Sequence, residues 1–150
     1  MLVQLAAHRG ATVIATAGPR RVSRVVALGA EIVLDYHQPD WPEQARALAQ
    51  GGVDAAANAV PGGAIQVMRA LRDRGRLATI TSDPPAPERD ITVREVYVAP
   101  DGRRLGRLVQ HLTQGVLTVA VGERFPLEQG AAALARVGYG AAGSAVVLQP

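Results

Sequence analysis

The feature that most constrains this chain is a repeated exchange between two periodicities, first seen at residues 11–21. Thr12-Val13-Ile14 is a β-branched run suited to a half-buried strand. Gly18-Pro19 then breaks the chain, and Val22, Val25 and Val26 resume at helical spacing. A strand that hands over to a helix at Arg20 and Arg21 delivers two guanidinium groups to one edge of a sheet. Such an edge suits an anion, which the planar fork of arginine can grip with two hydrogen bonds.

The same exchange recurs along the chain. A helix over residues 1–9 ends at Gly10, and a second over 20–28 stops at Gly29. Residues 31–34 form a second strand with Asp35-Tyr36 at its end. Asp40 is expected to cap the next helix, with Pro42 in the first turn and Glu43 reaching back as in a capping box. After Gly51-Gly52, residues 53–57 read as a third strand and 58–63 as a turn. Ala64, Val67, Met68 and Leu71 make one helical stripe, followed by a fourth strand over 76–80. A proline-rich loop over 82–89 leads to a fifth strand over 91–98. Pro100-Asp101-Gly102 opens a helix whose Leu105, Leu108, Val109 and Leu112 form the best apolar stripe in the chain, closed by Gly115. A short strand near 119–121, a helix over 127–137, a glycine-rich turn and a last strand over 145–148 complete the order. Alternation of this kind predicts parallel pairing through right-handed crossovers, hence a doubly wound α/β sheet flanked by helices.

Composition narrows the function classes. At 150 residues and 48% hydrophobic content the chain is one domain's worth with material for a core. Cysteine is absent, which removes disulfides and thiolate metal sites, and His8, His37 and His111 stand far apart, so no metal is assigned. All basic residues are arginine, giving a net charge of +3. They are scattered among acidic residues and few aromatics accompany them, which argues against nucleic acid. No apolar run has the length of a membrane span and no signal sequence is evident, so the expectation is a cytoplasmic protein without membrane contact.

Ligands of such sheets bind beyond the carboxyl ends of the strands. The candidate cofactor residues are therefore Ala17, Gly18, Arg20 and Arg21 after the first strand, Tyr36 after the second, Asn58 and Val60 after the third, and Ile80 and Thr81 after the fourth. A carboxylate after a dinucleotide fold's second strand binds the ribose 2′-hydroxyl of NAD, whereas arginine there accommodates the 2′-phosphate of NADP. The turn at 17–21 has no carboxylate and two arginines, which indicates NADP. Solvated arginines in a helix's first turn, and a tyrosine packed under its loop, are the alternatives. The glycines and backbone N–H groups over 58–63 offer a second approach to the cofactor, at its diphosphate or nicotinamide half. No nucleophile, general base with an orienting partner, or pair of carboxylates emerges, so no catalytic residue is assigned; hydride transfer would take its chemistry from the nicotinamide.

The order of phrases resembles the medium-chain dehydrogenase/reductase superfamily, in its zinc-free NADPH:quinone oxidoreductase branch. The residues that carry the resemblance are Val3-Gln-Leu-Ala6, Arg9-Gly-Ala-Thr-Val-Ile-Ala-Thr16, Leu28-Gly-Ala30, Val33-Leu-Asp-Tyr36, Gly52-Val-Asp54, Gly75-Arg-Leu77, Pro100-Asp-Gly102 with Leu105, Gly115-Val-Leu117, Phe125-Pro-Leu127 and Gly143-Ser-Ala-Val-Val-Leu148. The resemblance implies hydride transfer from NADPH to a quinone or enone, with Arg21, Arg20 beside it, and Tyr36 at the 2′-phosphate. Asn58 stands in place of a common aspartate, Thr81 of a common glycine, and Tyr139 where some relatives place an arginine. The family's sheet order, 3-2-1-4-5-6, has a first strand and glycine-rich turn before the position of Met1, and its zinc-using members keep their ligands in an N-terminal domain. Residues 1–124 thus correspond to a cofactor domain lacking its first strand, and 125–150 to the segment that returns to the catalytic domain, where 145–148 is expected to miss its native partner. The relatives' dimers imply an interface at 91–98. A non-catalytic nucleotide-binding or interaction module, paired with itself or a companion chain, is the alternative.

Overall fold

The computed structural model describes residues 1–140 and 144–150. Residues 141–143, in the expected glycine-rich turn, lie outside the described residues, and Gly143 of the family phrase with them.

Helix α1 (Leu2–His8) leads to β1 (Ile14–Thr16), α2 (Val22–Ala27) and β2 (Ile32–Leu34). The ladder between β1 and β2 is parallel and starts at Ile14↔Ile32, two residues later than the β-branched run suggests. Val13 contributes only its carbonyl, accepting from the N–H groups of Glu31 and Ile32. Helix α3 (Trp41–Leu48) has Pro42 in its first turn, but Asp40 does not cap it and no capping box forms. Asp40 instead accepts from Gln44 Nε2, and Glu43 is drawn away to an ion pair with Arg69.

Strand β3 (Val53–Asn58), α4 (Ala64–Ala70), β4 (Leu71–Thr79) and β5 (Thr92–Glu95) form the largest sheet, in the order β3-β4-β5 and parallel throughout. β4 follows α4 without a loop, earlier than the sequence reading placed it. Leu71 pairs with Val53, regular pairing resumes at Arg76, and Arg74 between them has φ +61°. Two guanidinium groups fix this corner: Arg89 donates to Leu71 O at 2.7 Å and Met68 O at 2.6 Å, and Arg46 also donates to Leu71 O. Cations at the carboxyl end of a helix satisfy its last carbonyls and complement its dipole. β5 is half the expected length, because Val96, Tyr97 and Val98 lie beyond the strand.

The core follows this sheet. Ala64 and Met68 of α4 pack on Leu71, Leu77 and Ile91, with Val53, Ala56, Val67 and Val93 around them. Each fully buried leucine or methionine contributes about 1.5–3 kcal/mol. A second cluster of Leu34, Ala45 and Ala70, flanked by Ile14, Ile32 and Trp41, joins β2, α3 and the end of α4. The helix layer therefore connects β1-β2 to β3-β4-β5.

The strands are not joined into one sheet. The described residues form three parallel sheets, β1-β2, β3-β4-β5 and β6-β7, and β1 does not pair with β3. That break falls where the family order places strand 1. Helix α5 (Gly102–Thr113) is capped as expected, with Asp101 Oδ1 accepting from Arg104 N at 3.0 Å. Its apolar stripe is not a core face: no α5 residue is buried, and Leu105, Val109 and Leu112 are exposed. Strand β6 (Val121–Pro126) is longer than expected and reaches the phrase Phe125-Pro126. It pairs in parallel with β7 (Ala145–Gln149), and α6 (Gly130–Gly138) connects them.

Candidate functional site

The turn after β1 is set by Pro19. A residue before proline is held in extended backbone, and Gly18 has φ −71° and ψ 159°. Proline then suits the first position of the single 3-10 turn Pro19–Arg21, closed by Arg21 N donating to Gly18 O at 2.9 Å. Ala17 is buried and ties the turn to the next strand, its N–H donating to Leu34 O at 2.9 Å. Arg20 and Arg21 are exposed on the turn.

The ends of β1 and β2 meet at Gly18. A Cβ there would lie 3.3 Å from Tyr36 Oη and 3.3 Å from His37 Cε1, so the absence of a side chain lets both rings lie against the turn. The structure thus brings together Ala17, Gly18, the two arginines and Tyr36. It adds two residues that sequence reasoning missed. His37 lies over Tyr36, with ring centroids 4.2 Å apart and a 35° tilt, and its Nδ1 is 2.6 Å from Asp35 Oδ1. The same carboxylate oxygen accepts from His37 N at 3.0 Å. These bonds, the backbone one first, hold the Asp35 carboxyl below the ordinary carboxylate range. The sequence signal for them was Asp-Tyr-His following an apolar strand, where an aspartate accepts from a backbone N–H two residues on.

The ends of β3 and β4 make a second group. Asn58 and Thr79 are paired across the ladder and buried. Asn58 Nδ2 is placed to donate to Val60 O at 3.0 Å, Thr79 Oγ1 at 3.2 Å and Thr81 Oγ1 at 3.1 Å, while its Oδ1 accepts from Val60 N. Thr81 donates to Asp83, which also accepts from Gly62 N, and Gly63 N donates to Val60 O. The Thr81 hydroxyl first, and then the Gly62 N–H, hold the Asp83 carboxyl below its ordinary range.

This network corrects the expectation of free N–H groups over 58–63. Val60 and Gly63 spend theirs inside the turn and Gly62 spends its own on Asp83, and Pro61 has none. A carboxylate already occupies the place where an anion would bind Gly62. Asn58 and Thr81, two of the departures from the family pattern, are partners of one another. Val60 and Ile80 remain exposed, and Ile80 lines a hollow of about 280 Å³ with Val96, Tyr97 and Val98. Tyr97 donates to Glu95 at 2.6 Å. Tyr139, at the end of α6, is almost wholly exposed. Among the described residues no group of three or more His, Cys, Asp or Glu is arranged to hold a metal, and no helix is long and apolar enough to cross a membrane.

A family profile described as zinc-binding dehydrogenase matches residues 28–148. The chain belongs to that family. It is the cofactor-domain portion of a medium-chain dehydrogenase/reductase, with the Rossmann-like fold of that superfamily. A zinc-type alcohol dehydrogenase-like protein of Schizosaccharomyces pombe is 32% identical over 99 residues, covering 61% of this chain and 28% of its own length. Among solved structures, an NAD-dependent alcohol dehydrogenase is 30% identical with TM-score 0.84, over 99% of this chain and 46% of that one. A mycobacterial quinone oxidoreductase is 27% identical with TM-score 0.81, over 99% and 52%. A mycobacterial protein complexed with NADPH is 25% identical with TM-score 0.76, again over 99% and 52%. This chain therefore spans about half the length of these solved relatives, or less.

The ends of β1 and β2 thus carry a turn without a side chain at Gly18, two exposed guanidinium groups and the Tyr36 ring. In the turn at 58–63 the N–H groups of Val60, Gly62 and Gly63 are already engaged.

Proposed function

We propose that this chain is the cofactor-binding portion of an NADP-dependent oxidoreductase of the zinc-free quinone-reductase type, which transfers hydride from NADPH to a quinone or enone. The observation that carries the reading is the contact of Gly18 with the end of Tyr36 beside Arg20 and Arg21. Guanidinium groups hold phosphate in two-pronged fashion, and a tyrosine supplies both a ring for the adenine and a hydroxyl for the phosphate. Bound there, the nicotinamide dinucleotide would supply the hydride. Residues 17–21 and Tyr36 would grip its adenosine end, Asn58 would hold the 58–63 turn in shape, and Val60, Ile80 and Thr81 would border the path toward the nicotinamide. Within this reading residues 1–124 form the cofactor unit, 125–150 the return segment, and 91–98 an edge through which two copies pair. The protein is expected in the cytoplasm.

A second reading is favoured by the open edges of β1 and β3: a non-catalytic module that pairs with a companion chain through a sheet edge.

Thermal unfolding of the chain with millimolar NADPH or NADH tests the first reading, since a ligand of the native state raises the midpoint. NADPH is expected to raise it more than NADH, and Arg21→Ala to remove most of the difference, through loss of a charged hydrogen bond of about 1.5–3 kcal/mol. No rise with either dinucleotide refutes the reading.

A further inference from the structure

We propose that His37, oriented by Asp35, is a proton-dependent selector at the adenosine end of the site, favouring the 2′-phosphorylated dinucleotide when protonated and the unphosphorylated one when neutral. This rests on the dinucleotide reading above and deepens it. Three contacts carry the argument. Asp35 Oδ1 is 2.6 Å from His37 Nδ1 and also accepts from His37 N at 3.0 Å, so the carboxylate fixes both the backbone and the ring. His37 Cε1 would be 3.3 Å from a Cβ on Gly18, which puts the ring against the turn that carries Arg20 and Arg21. Tyr36 stacks on the same ring, so the histidine belongs to the surface that the Gly18 turn and Tyr36 form.

The chemistry follows from which nitrogen is engaged. An ionised carboxylate only accepts, so Nδ1 donates to Asp35 and the proton is gained or lost at Nε2. With Nε2 protonated, the Asp35–His37 pair is neutral overall and presents an N–H donor. With Nε2 neutral, the pair carries the −1 charge of Asp35 and presents a lone pair. The first state accepts a phosphate beside the arginines; the second repels it and can accept from a ribose hydroxyl. The charged and titratable groups around His37 are Asp35 and Tyr36 on its own loop, and Arg20 and Arg21 on the turn after β1 that its ring lies against.

The test uses adenosine 2′,5′-bisphosphate and adenosine 5′-monophosphate as probes, with dissociation constants measured by calorimetry from pH 5.5 to 8.5. The readout is the ratio of the two constants. The 2′-phosphate itself titrates near pH 6, and comparison with His37→Gln cancels that contribution. In the parent chain the advantage of the bisphosphate is expected to fall about three- to fivefold more steeply with rising pH than in His37→Gln, the scale of one exposed charge pair. Asp35→Asn is expected to raise the advantage at pH 8. Circular dichroism of each variant confirms that it is folded. Identical pH profiles for parent and His37→Gln overturn the selector while leaving the arginine grip intact. Absence of binding by either probe at every pH overturns the dinucleotide reading and the selector together.

Discussion

At the scale of single residues, the site consists of side chains whose partners are fixed by backbone N–H groups. Asp83 is the sharpest case, because its carboxylate accepts from Thr81 and from Gly62 N and so closes the 58–63 turn against the end of β4. Its folded value lies below the ordinary one, so the stabilisation it gives is present above the unfolded value, about 3.9. It is lost as pH falls from there through the lower folded value. Hydrogen exchange should show the Gly62 amide protected at pH 5 and above and exposed in Asp83→Ala; an unprotected Gly62 amide at pH 5 would refute the closed turn. That Arg20, Arg21 and Tyr36 lie at neighbouring strand ends is legible in the sequence, because a cationic turn after one strand and an aromatic after the next are visible as letters. Asp35, His37 and Asp83 were not, since each acts through a bond to a residue two positions away or to another loop. The Asn58–Thr81 pair was visible only as two separate departures from a pattern; their contact across 23 positions needed the register of β3 on β4.

At the scale of elements, types are more legible in the residues than ends are. Alternating strands and helices were legible, but β1 and β4 start away from the positions that β-branched content suggests, because ladder bonds rather than propensity decide where a strand begins. The α4–β4 corner shows why: Arg72-Asp73-Arg74 reads as a loop, yet Leu71 before it is already paired and wholly buried. Gly52 supports this corner with φ +125° and no room for a Cβ, which would lie 2.4 Å from Arg72 N. Gly52→Ala is expected to destabilise by more than about 1 kcal/mol in chemical denaturation, through left-handed backbone and the clash together. Leu77→Ala, in the middle of the same sheet, is expected to cost about 2–5 kcal/mol, as deletion of a fully buried leucine does. A neutral result at Leu77 would mean that the α4 face is not the core. The stripe of α5 is legible in the sequence but exposed in the fold, because periodicity reports amphipathicity and says nothing of what covers it.

At the scale of the molecule, the fold is a Rossmann-like cofactor portion in which β1-β2 and β3-β4-β5 are connected through α3 and α4 and not through a continuous ladder. The cationic turn belongs to the smaller sheet, whose three-residue strands make it dependent on the helix layer for its position. The central claim is that the adenosine end of NADPH lies on that turn. Amide chemical shifts of the 15N-labelled chain, recorded during titration with NADPH and then with NADH, test it most directly. The account predicts perturbations concentrated at residues 17–21 and 35–37, larger with NADPH, and smaller ones over 58–63. Perturbations that spare residues 17–21 and 35–37, or that are the same for both dinucleotides, would contradict it.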